Sequence, residues 1–580
     1  MFSREFKKEL VHLRRLGQIF AKNHPSLAPH LKGQSSDPDV ERFLEGTAFL
    51  SAGIKKKLDQ NFDKFVYFLM QTICPHFLMP LPAATTMVFT PKETLLETMD
   101  VPKGTYIDSI PVDKTRCRFQ TCDPVRVSPL RIIHAGITNK ESPRTDRDLS
   151  EIKISFELPI MPLDSLDLEG IRLFLADEYA SAADIYQILL NNTEYICITP
   201  EEGTIFRKNA DFIKPGGLEE KAPLFPWPQN ISPAARPLME YFHFPEKFLY
   251  VDIDISQWKN KGSGHRFTLS FYCTLSTAEL PLIETKSFVL SAVPCVNLFE
   301  TEAAPIINAF TDADIQILPD GMELGTYEVF SVDKAAVFAA GDRKKKQLKR
   351  FSTFGYSNHS DIVYSTFYKE IPGEDQQGLY MTMARPQGQT LPEQEVITIA
   401  MTCTNGRLSG VLHPGDLHQP TANSPEMVQF RNISSPTPGR PPLESTDCFV
   451  RLLSHLYVNY GAVSQKSHLE SLLALYSDTQ GADRTKDAIN RGKIDAIQSI
   501  SLQPDERIIQ HALYRGESIH IRVKQEYFAS RGDLYLFGSV LDYYFTSCAS
   551  INTYTLLTIE DVQTGDMFKW PARLRKMRLE

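Results

Sequence analysis

Phe6, Leu13 and Phe20 recur at seven-residue intervals, with Leu10 and Gly17 between them. A strand alternates its side chains with period 2, so this spacing describes a helix carrying a narrow apolar seam of period 3.5. A stripe that narrow is covered by another helix, and His24-Pro25 ends it because the residue before proline avoids the helical region. A second helix is expected next. Ser35, Ser36 and Asp37 supply a cap, Pro38 suits the first turn, and Val40, Leu44, Ile54, Leu58, Phe62, Phe65 and Leu69 continue at helical spacing to Pro75. Phe6, Leu10, Leu13, Phe20, Leu44 and Leu58 are the candidate partner-binding residues, with a hairpin inside the chain as the competing use of the same seam. Gly46 and Gly53 lie one heptad apart, each costing ~1 kcal/mol of helix propensity. Close approach of a neighbouring helix would compensate; an ordinary flexible point is the equal alternative.

From Ala83 the texture changes to short β-rich runs broken by Pro, Gly and Asp, such as 86–90, 151–157, 248–255 and 266–272. Several alternate strictly, so half-buried antiparallel sheets are expected. One helix, Ser181–Leu190, sits between apolar runs 171–175 and 194–198 as a strand, helix, strand unit. Beyond Pro442 helical patterning returns at 448–460, 467–476 and 483–498, followed by a strand at 519–523, a helix at 533–551 and a strand at 554–559. At 580 residues the chain exceeds what one core supports, ~250–300 residues. The expected fold is α+β and multidomain: an N-terminal helical segment 1–82, β-rich domains 83–300 and 301–434, a Pro-rich linker 435–442, and a C-terminal α+β domain 443–580.

Composition removes several classes. An apolar share of 42% and a charged share of 23% are those of a folding chain, not a disordered one. A net charge of −9 does not favour nonspecific nucleic-acid binding. The densest apolar run, 65–70, stops at Gln71, short of a ~20-residue membrane span, and residues 1–9 mix both charge signs, unlike a secretory signal. A cytoplasmic location is expected. Nine widely spaced cysteines then read as reduced thiols, and the Asn-x-Ser/Thr strings at Asn191, Asn230, Asn358 and Asn432 as chance matches.

No phosphate cradle, dinucleotide turn, nucleophile elbow or helical zinc pair occurs. Cys117 and Cys122 are spaced too widely for a zinc knuckle, and His413 and His418 supply two ligands where a catalytic zinc takes three. Asp164, Asp167 and Glu169 resemble an acid/base cluster, but solvated loop acids look the same. The expectation is no catalytic residue, no cofactor and no metal. The block Arg343–Arg350 holds six cations, with Phe351 and Phe354 beside it, and keeps a nucleic-acid-binding module as one alternative. Another is a cytosolic enzyme with a site assembled from dispersed residues. Arg531-Gly532-Asp533 reads as a turn and cap before a helix.

The strings Leu13–Gly17, Phe20–Pro25, Asp37–Gly46, Pro75–Pro82, Phe242–Phe248, Val296–Phe299, Thr402–Asn405, Arg451–Leu456, Leu534–Gly538 and Ala549–Asn552 together resemble the TssF family of the bacterial type VI secretion system, also called VasA or ImpG. Val450 stands where that family often has Trp, and Ala462-Val463 where it tends to Ser-Leu. The resemblance implies a structural wedge component of a baseplate in a phage-tail-like contractile injection machine. It also implies its partners: two TssF copies with one TssG, then TssK, TssE and the spike hub, with no small-molecule substrate and no nucleic acid. Such a subunit is cytoplasmic and meets the inner membrane only through the assembled machine.

Overall fold

The computed structural model describes residues 2–26, 38–140, 149–165, 168–218, 222–228, 231, 233–276, 279–308, 314–339, 345–351, 362–371, 377–386, 394–442, 449–454, 465–477, 483–509, 512–550, 552–574 and 577–578. Helix α1 (Phe2–Asn23) ends at the His24-Pro25 stop, and α2 (Pro38–Ile73) opens on its proline with Asp39 and Glu41 favourably placed at the positive end of the helix dipole. The two run antiparallel as a hairpin, with Arg14 against Glu41 at 2.8 Å and Lys55 against Glu9 at 2.9 Å. Their other end is anchored. Val66, Tyr67 and Met70 enter the main core, and Lys64 pairs with Asp314 at 3.0 Å on the sheet below.

The middle of the chain forms antiparallel sheets, as the alternation predicts. A five-stranded sheet aligns Leu149–Glu157 between Arg131–Lys140 and Arg266–Cys273, burying Ile152, Ile154 and Phe156 on one face. In the expected strand, helix, strand unit, the helix α3 (Tyr179–Gln187) joins strands Gly170–Leu175 and Thr193–Pro200, which belong to different sheets. It therefore spans two layers instead of crossing over within one. A six-stranded sheet is assembled from distant stretches: Ala84–Pro91, Tyr106–Val112 and Thr115–Thr121 lie with Ala292–Val296, Leu417–Pro420 and Val428–Asn432. It crosses the sequence division expected at residue 300.

The Pro-rich stretch 435–442 is sheet margin and not a free connector. Arg440 exchanges backbone hydrogen bonds with Leu81 at 2.8 and 2.9 Å, and Thr437 donates to the Ala84 carbonyl at 2.8 Å. Proline lacks a donor, but the residues between prolines pair normally at an edge. Past this point a helix Lys466–Ser477, a helix Arg484–Asp495, a hairpin Ile497–Ile509 with Ala512–Val523, and a helix Arg531–Cys548 follow. Ala512–Val523 pairs in parallel with Thr553–Asp561, and the helix between them supplies the crossover such a pair requires. Of the expected helix 448–460, residues 449–454 are helical and the rest lies outside the described residues.

One core runs from Val66 to Trp570, so the C-terminal helices share their interior with the middle sheets. At Gly532 a side chain is impossible, because a Cβ would fall 2.1 Å from the backbone of Ala183. The helix Arg531–Cys548 thus starts against α3. Its cap is Ser530, which accepts from the Asp533 amide at 3.2 Å, so Arg531, Gly532 and Asp533 are the first helical turn and not the cap.

Candidate functional site

Burial on α1 falls on Phe6, Leu10, Leu13, Gly17 and Ala21, the seam read from the sequence, and on α2 over the matching stretch it falls on Val40, Leu44, Ala48 and Ala52. Phe6, Leu10, Leu13 and Leu44 are half-buried along the hairpin, while Phe20 and Leu58 stay exposed, the latter at 63%. The seam is consumed largely within the chain. What stays exposed among the described residues is a second apolar row on α2 that periodicity carried only in part: Phe43 and Leu50 join Ile54, Leu58, Phe62, Phe65 and Leu69 at steps of three, four or seven. At 1.5 Å per residue that row is about 39 Å long. Val11, Leu16 and Ile19 of α1 are exposed beside it. A helical wheel drawn for α2 would have found Phe43 and Leu50.

Gly46 and Gly53 sit on exposed positions of α2, and a Cβ at either meets nothing within 4 Å. No neighbouring helix of this chain, among the described residues, approaches them. Near the far end of the row the ring of Phe62 packs edge-on against Phe449 at 5.6 Å, and Phe449, Val450 and Leu453 extend the exposed apolar area. Each such side chain, once covered, contributes ~1.5–3 kcal/mol. An apolar row of this length is a surface that another apolar surface can cover.

The charged residues buried in the body hold one another. Lys493 lies 2.8 Å from Asp533, whose same oxygen accepts from the Tyr179 hydroxyl at 2.7 Å and the Tyr241 hydroxyl at 2.8 Å. Burial pulls Lys493 down and pushes both phenols well up, so the phenols stay protonated donors. On α4 (Arg236–His243), Glu240 binds Lys247 and accepts from the Leu224 amide at 2.8 Å. His243 joins the foot of the helical arm to the body: its Nε2 sits 2.8 Å from the Pro82 carbonyl and 3.0 Å from Thr437. A carbonyl only accepts, so Nε2 carries the proton. Burial, with Lys486 and Arg440 adding repulsion, drops its pKa to about 3, and the ring stays neutral at physiological pH.

The sequence's other candidates are scattered. Cys117 and Cys122 belong to different core clusters; burial raises both thiols, Cys117 to about 11. His418 Nδ1 bonds the Gly415 carbonyl at 2.8 Å, and His413 is in the same exposed loop. Asp164 is exposed and accepts from Ser165 at 3.3 Å, Glu169 is exposed, and Asp167 lies outside the described residues. Among the described residues, no group of three or more His, Cys, Asp or Glu is arranged to hold a metal ion. Of the basic block, Lys346–Arg350 is a short strand with Leu348 turned inward; Arg343, Lys344 and Phe354 lie outside the described residues. No described helix is long and apolar enough to cross a membrane.

Comparison with known proteins gives a consistent result. The family described as "Type VI secretion system, TssF" matches residues 1–577. The chain is 23% identical to the type VI secretion system component TssF1 of Pseudomonas aeruginosa, over 98% of each chain. Among solved structures it is similar to a chain of the TssK-TssF-TssG baseplate subcomplex seen by cryo-electron microscopy, with TM-score 0.75 and 24% identity over 92% of this chain and 98% of that one. A chain of the baseplate complex from the type VI secretion system matches with TM-score 0.59 and 22% identity, each chain covered in full.

Proposed function

The chain belongs to the TssF family of the type VI secretion system, and we propose that it is a structural wedge subunit of that machine's baseplate, held to its partners through the exposed row on α2. The observation that carries this reading is the row from Phe43 to Leu69, seven apolar side chains exposed in succession along a single helix. Support also comes from the likeness in fold to a chain of a subcomplex named for TssK, TssF and TssG. TssG is the proposed occupant of the helical arm; a second copy of this chain, TssK, TssE and the spike hub complete the proposed surroundings. The subunit acts as scaffold and not as enzyme, assembling in the cytoplasm and reaching the inner membrane only through the finished baseplate.

The deciding experiment replaces Ile54 and Leu58 with Asp together and measures co-purification with TssG. Both side chains face solvent in the free chain, so its thermal midpoint should hold while the complex weakens by at least tenfold. An undiminished complex overturns the reading. Substituting Leu10 or Leu13 would confuse the result, because those half-buried residues belong to the hairpin seam.

A further inference from the structure

The eight-stranded sheet closes into a barrel. Its last strand, Ile315–Gln316, pairs with Gln377–Ala384, and the residues after it return beside Phe299–Glu302: the Ala304 amide donates to the Leu318 carbonyl and the Asp320 amide to the Glu302 carbonyl, both at 2.9 Å. Ala335, Val337, Leu348, Ile397, Ile399 and Met401 fill the interior, so the residues alternating with them face outward. The register sorts those outward residues into rows. Ile307, Val396 and Phe338 stand side by side, with the Lys345 ammonium 5.6 Å from the centre of the Phe338 ring. The next row holds Thr398, Ala336 and Gln347, and the third holds Glu302, Ala400 and Lys334. Ile307 is 68% exposed and Val396 37%. Charge divides between the margins. Glu300 and Glu302 are exposed on one, and Lys345 and Lys349, from the described part of the basic block, are exposed on the other. Helix α2 seats elsewhere, with Lys64 at Asp314 and over the Phe367 ring, on the opposite side of the barrel.

We propose that this outward face binds the same face of a second copy of the chain, about a two-fold axis that runs along the strands. Rotation about an axis lying in the contact plane keeps each row level and exchanges the two margins. Val396 of one copy then meets Phe338 of the other, and Thr398 meets Ala336, each contact made twice. The margin with Glu300 and Glu302 comes over the margin with Lys345 and Lys349. A barrel wall is convex, so two walls touch along their centre and part toward the margins. The central residues are apolar or small, and the margins carry the long charged side chains that reach across the opening. Acid on one margin and lysine on the other make the face complementary to itself, whereas a uniformly basic face would call for a separate acidic partner. Strand spacing and rise give the face roughly 15–20 Å on a side, less than the ~800 Å² per partner of a standard interface. The pair is therefore weak between free copies and forms where an assembly already holds two of them close. This inference names a surface for the second copy placed in the proposed surroundings; it rests on that copy being present and not on the α2 row.

The test uses the full chain in two differently tagged forms, co-expressed with TssG, with a photoreactive benzoylphenylalanine at the exposed Ile307. The expected product is a covalent pair carrying both tags, its cross-link mapped by mass spectrometry to Lys345 or the strand Lys346–Arg350 of the second copy. Lys345→Glu with Lys349→Glu should cut the yield of that pair at least fivefold, and so should Glu300→Lys with Glu302→Lys. The quadruple variant, with charge exchanged between the margins, should regain most of the parent yield. All four positions are exposed, and an unchanged thermal midpoint shows that each variant is folded. Capture of TssG, of any other protein or of nothing at Ile307 overturns the contact, as does a quadruple variant no better than the double ones. Recovery of TssG in the same samples reports on α2 separately. A chain that recovers TssG without forming the dual-tag pair loses the barrel contact and keeps the α2 reading; a dual-tag pair without TssG does the reverse.

Discussion

Helix α2 and the helix Arg531–Cys548 are both rich in Phe and Leu, yet they meet opposite surroundings. In the second, 14 of 18 residues are buried, including Asp533 and Asp542. In α2 the row from Phe43 to Phe65 is open, and burial takes over only at Val66, Tyr67 and Met70. The difference lies in what neighbours supply and not in hydrophobicity. Around Arg531–Cys548 the chain provides a sheet, two helices and counter-groups for every buried charge it needs. Around the first two-thirds of α2 the described residues provide one narrow partner helix, α1, which can cover a seam but not a circumference. The first arrangement makes a buried anchor, and the second leaves an open apolar row, the surface proposed above for partner binding.

The largest effect should come from breaking the anchor at its buried charge. Asp533→Ala leaves Lys493 buried without its carboxylate and two phenols without an acceptor, a loss of ~3–5 kcal/mol. The variant should yield little soluble protein or melt far below the parent. Asp533→Leu combined with Lys493→Met should recover much of the loss, because an apolar pair of similar volume removes the stranded charge. In contrast, Phe43→Ala, at a position 76% exposed, should stay within ~0.5 kcal/mol of the parent. Equal losses at the two sites, read from thermal midpoints, would erase the distinction between anchor and surface.

A smaller, graded effect is expected at the joint between them. His243 has a folded pKa of about 3 against 6.5 when unfolded, so the unfolded chain binds the extra proton between those values. Its contribution to stability is therefore complete above pH 6.5 and declines as pH falls toward 3, by at most ~1.4 kcal/mol per pH unit. His243→Gln keeps a donor for the Pro82 carbonyl without a titrating ring. Thermal midpoints measured from pH 7.5 to 4.5 should fall less steeply for the variant. Parallel curves would show that the joint is not held by a neutral histidine.

Much of this contrast was legible in the sequence, and the failures have physical causes. The heptad seam, the His24-Pro25 stop and the helix between strands 519–523 and 554–559 are local signals, and each element stands where it was read. Whether the seam at Phe6, Leu10 and Leu13 faces this chain or another is not local, since period 3.5 states that a helix covers it and not whose helix. The six-stranded sheet escaped because two of its strand pairs join residues more than 300 apart, and no periodicity encodes which runs pair. The helix expected at 483–498 ends at Asp495, and the strand Ile497–Ile509 takes its last residues and a stretch for which the sequence reading names no element. Its polar run with Pro504 suits the sheet edge it occupies, where the missing amide costs little.

The smallest effect discriminates best, because its sign should differ between free and assembled states. Gly46→Ala and Gly53→Ala each place a methyl group on an exposed helix position where nothing lies within 4 Å. In the free chain the substitution restricts the unfolded backbone and restores helix propensity, a gain of up to ~1 kcal/mol per site. Were the glycines merely flexible points, the complex with TssG would form as well or better. If a partner helix comes close over Leu50 and Ile54, the same methyls would sit between the two backbones. Affinity should then drop even as the free chain melts at a higher temperature. Measuring both quantities on one double variant separates the readings: a higher midpoint with weaker binding assigns the glycines to close helix packing, and a higher midpoint with unchanged binding removes them from the interface while leaving the Phe43 to Leu69 row to be tested on its own.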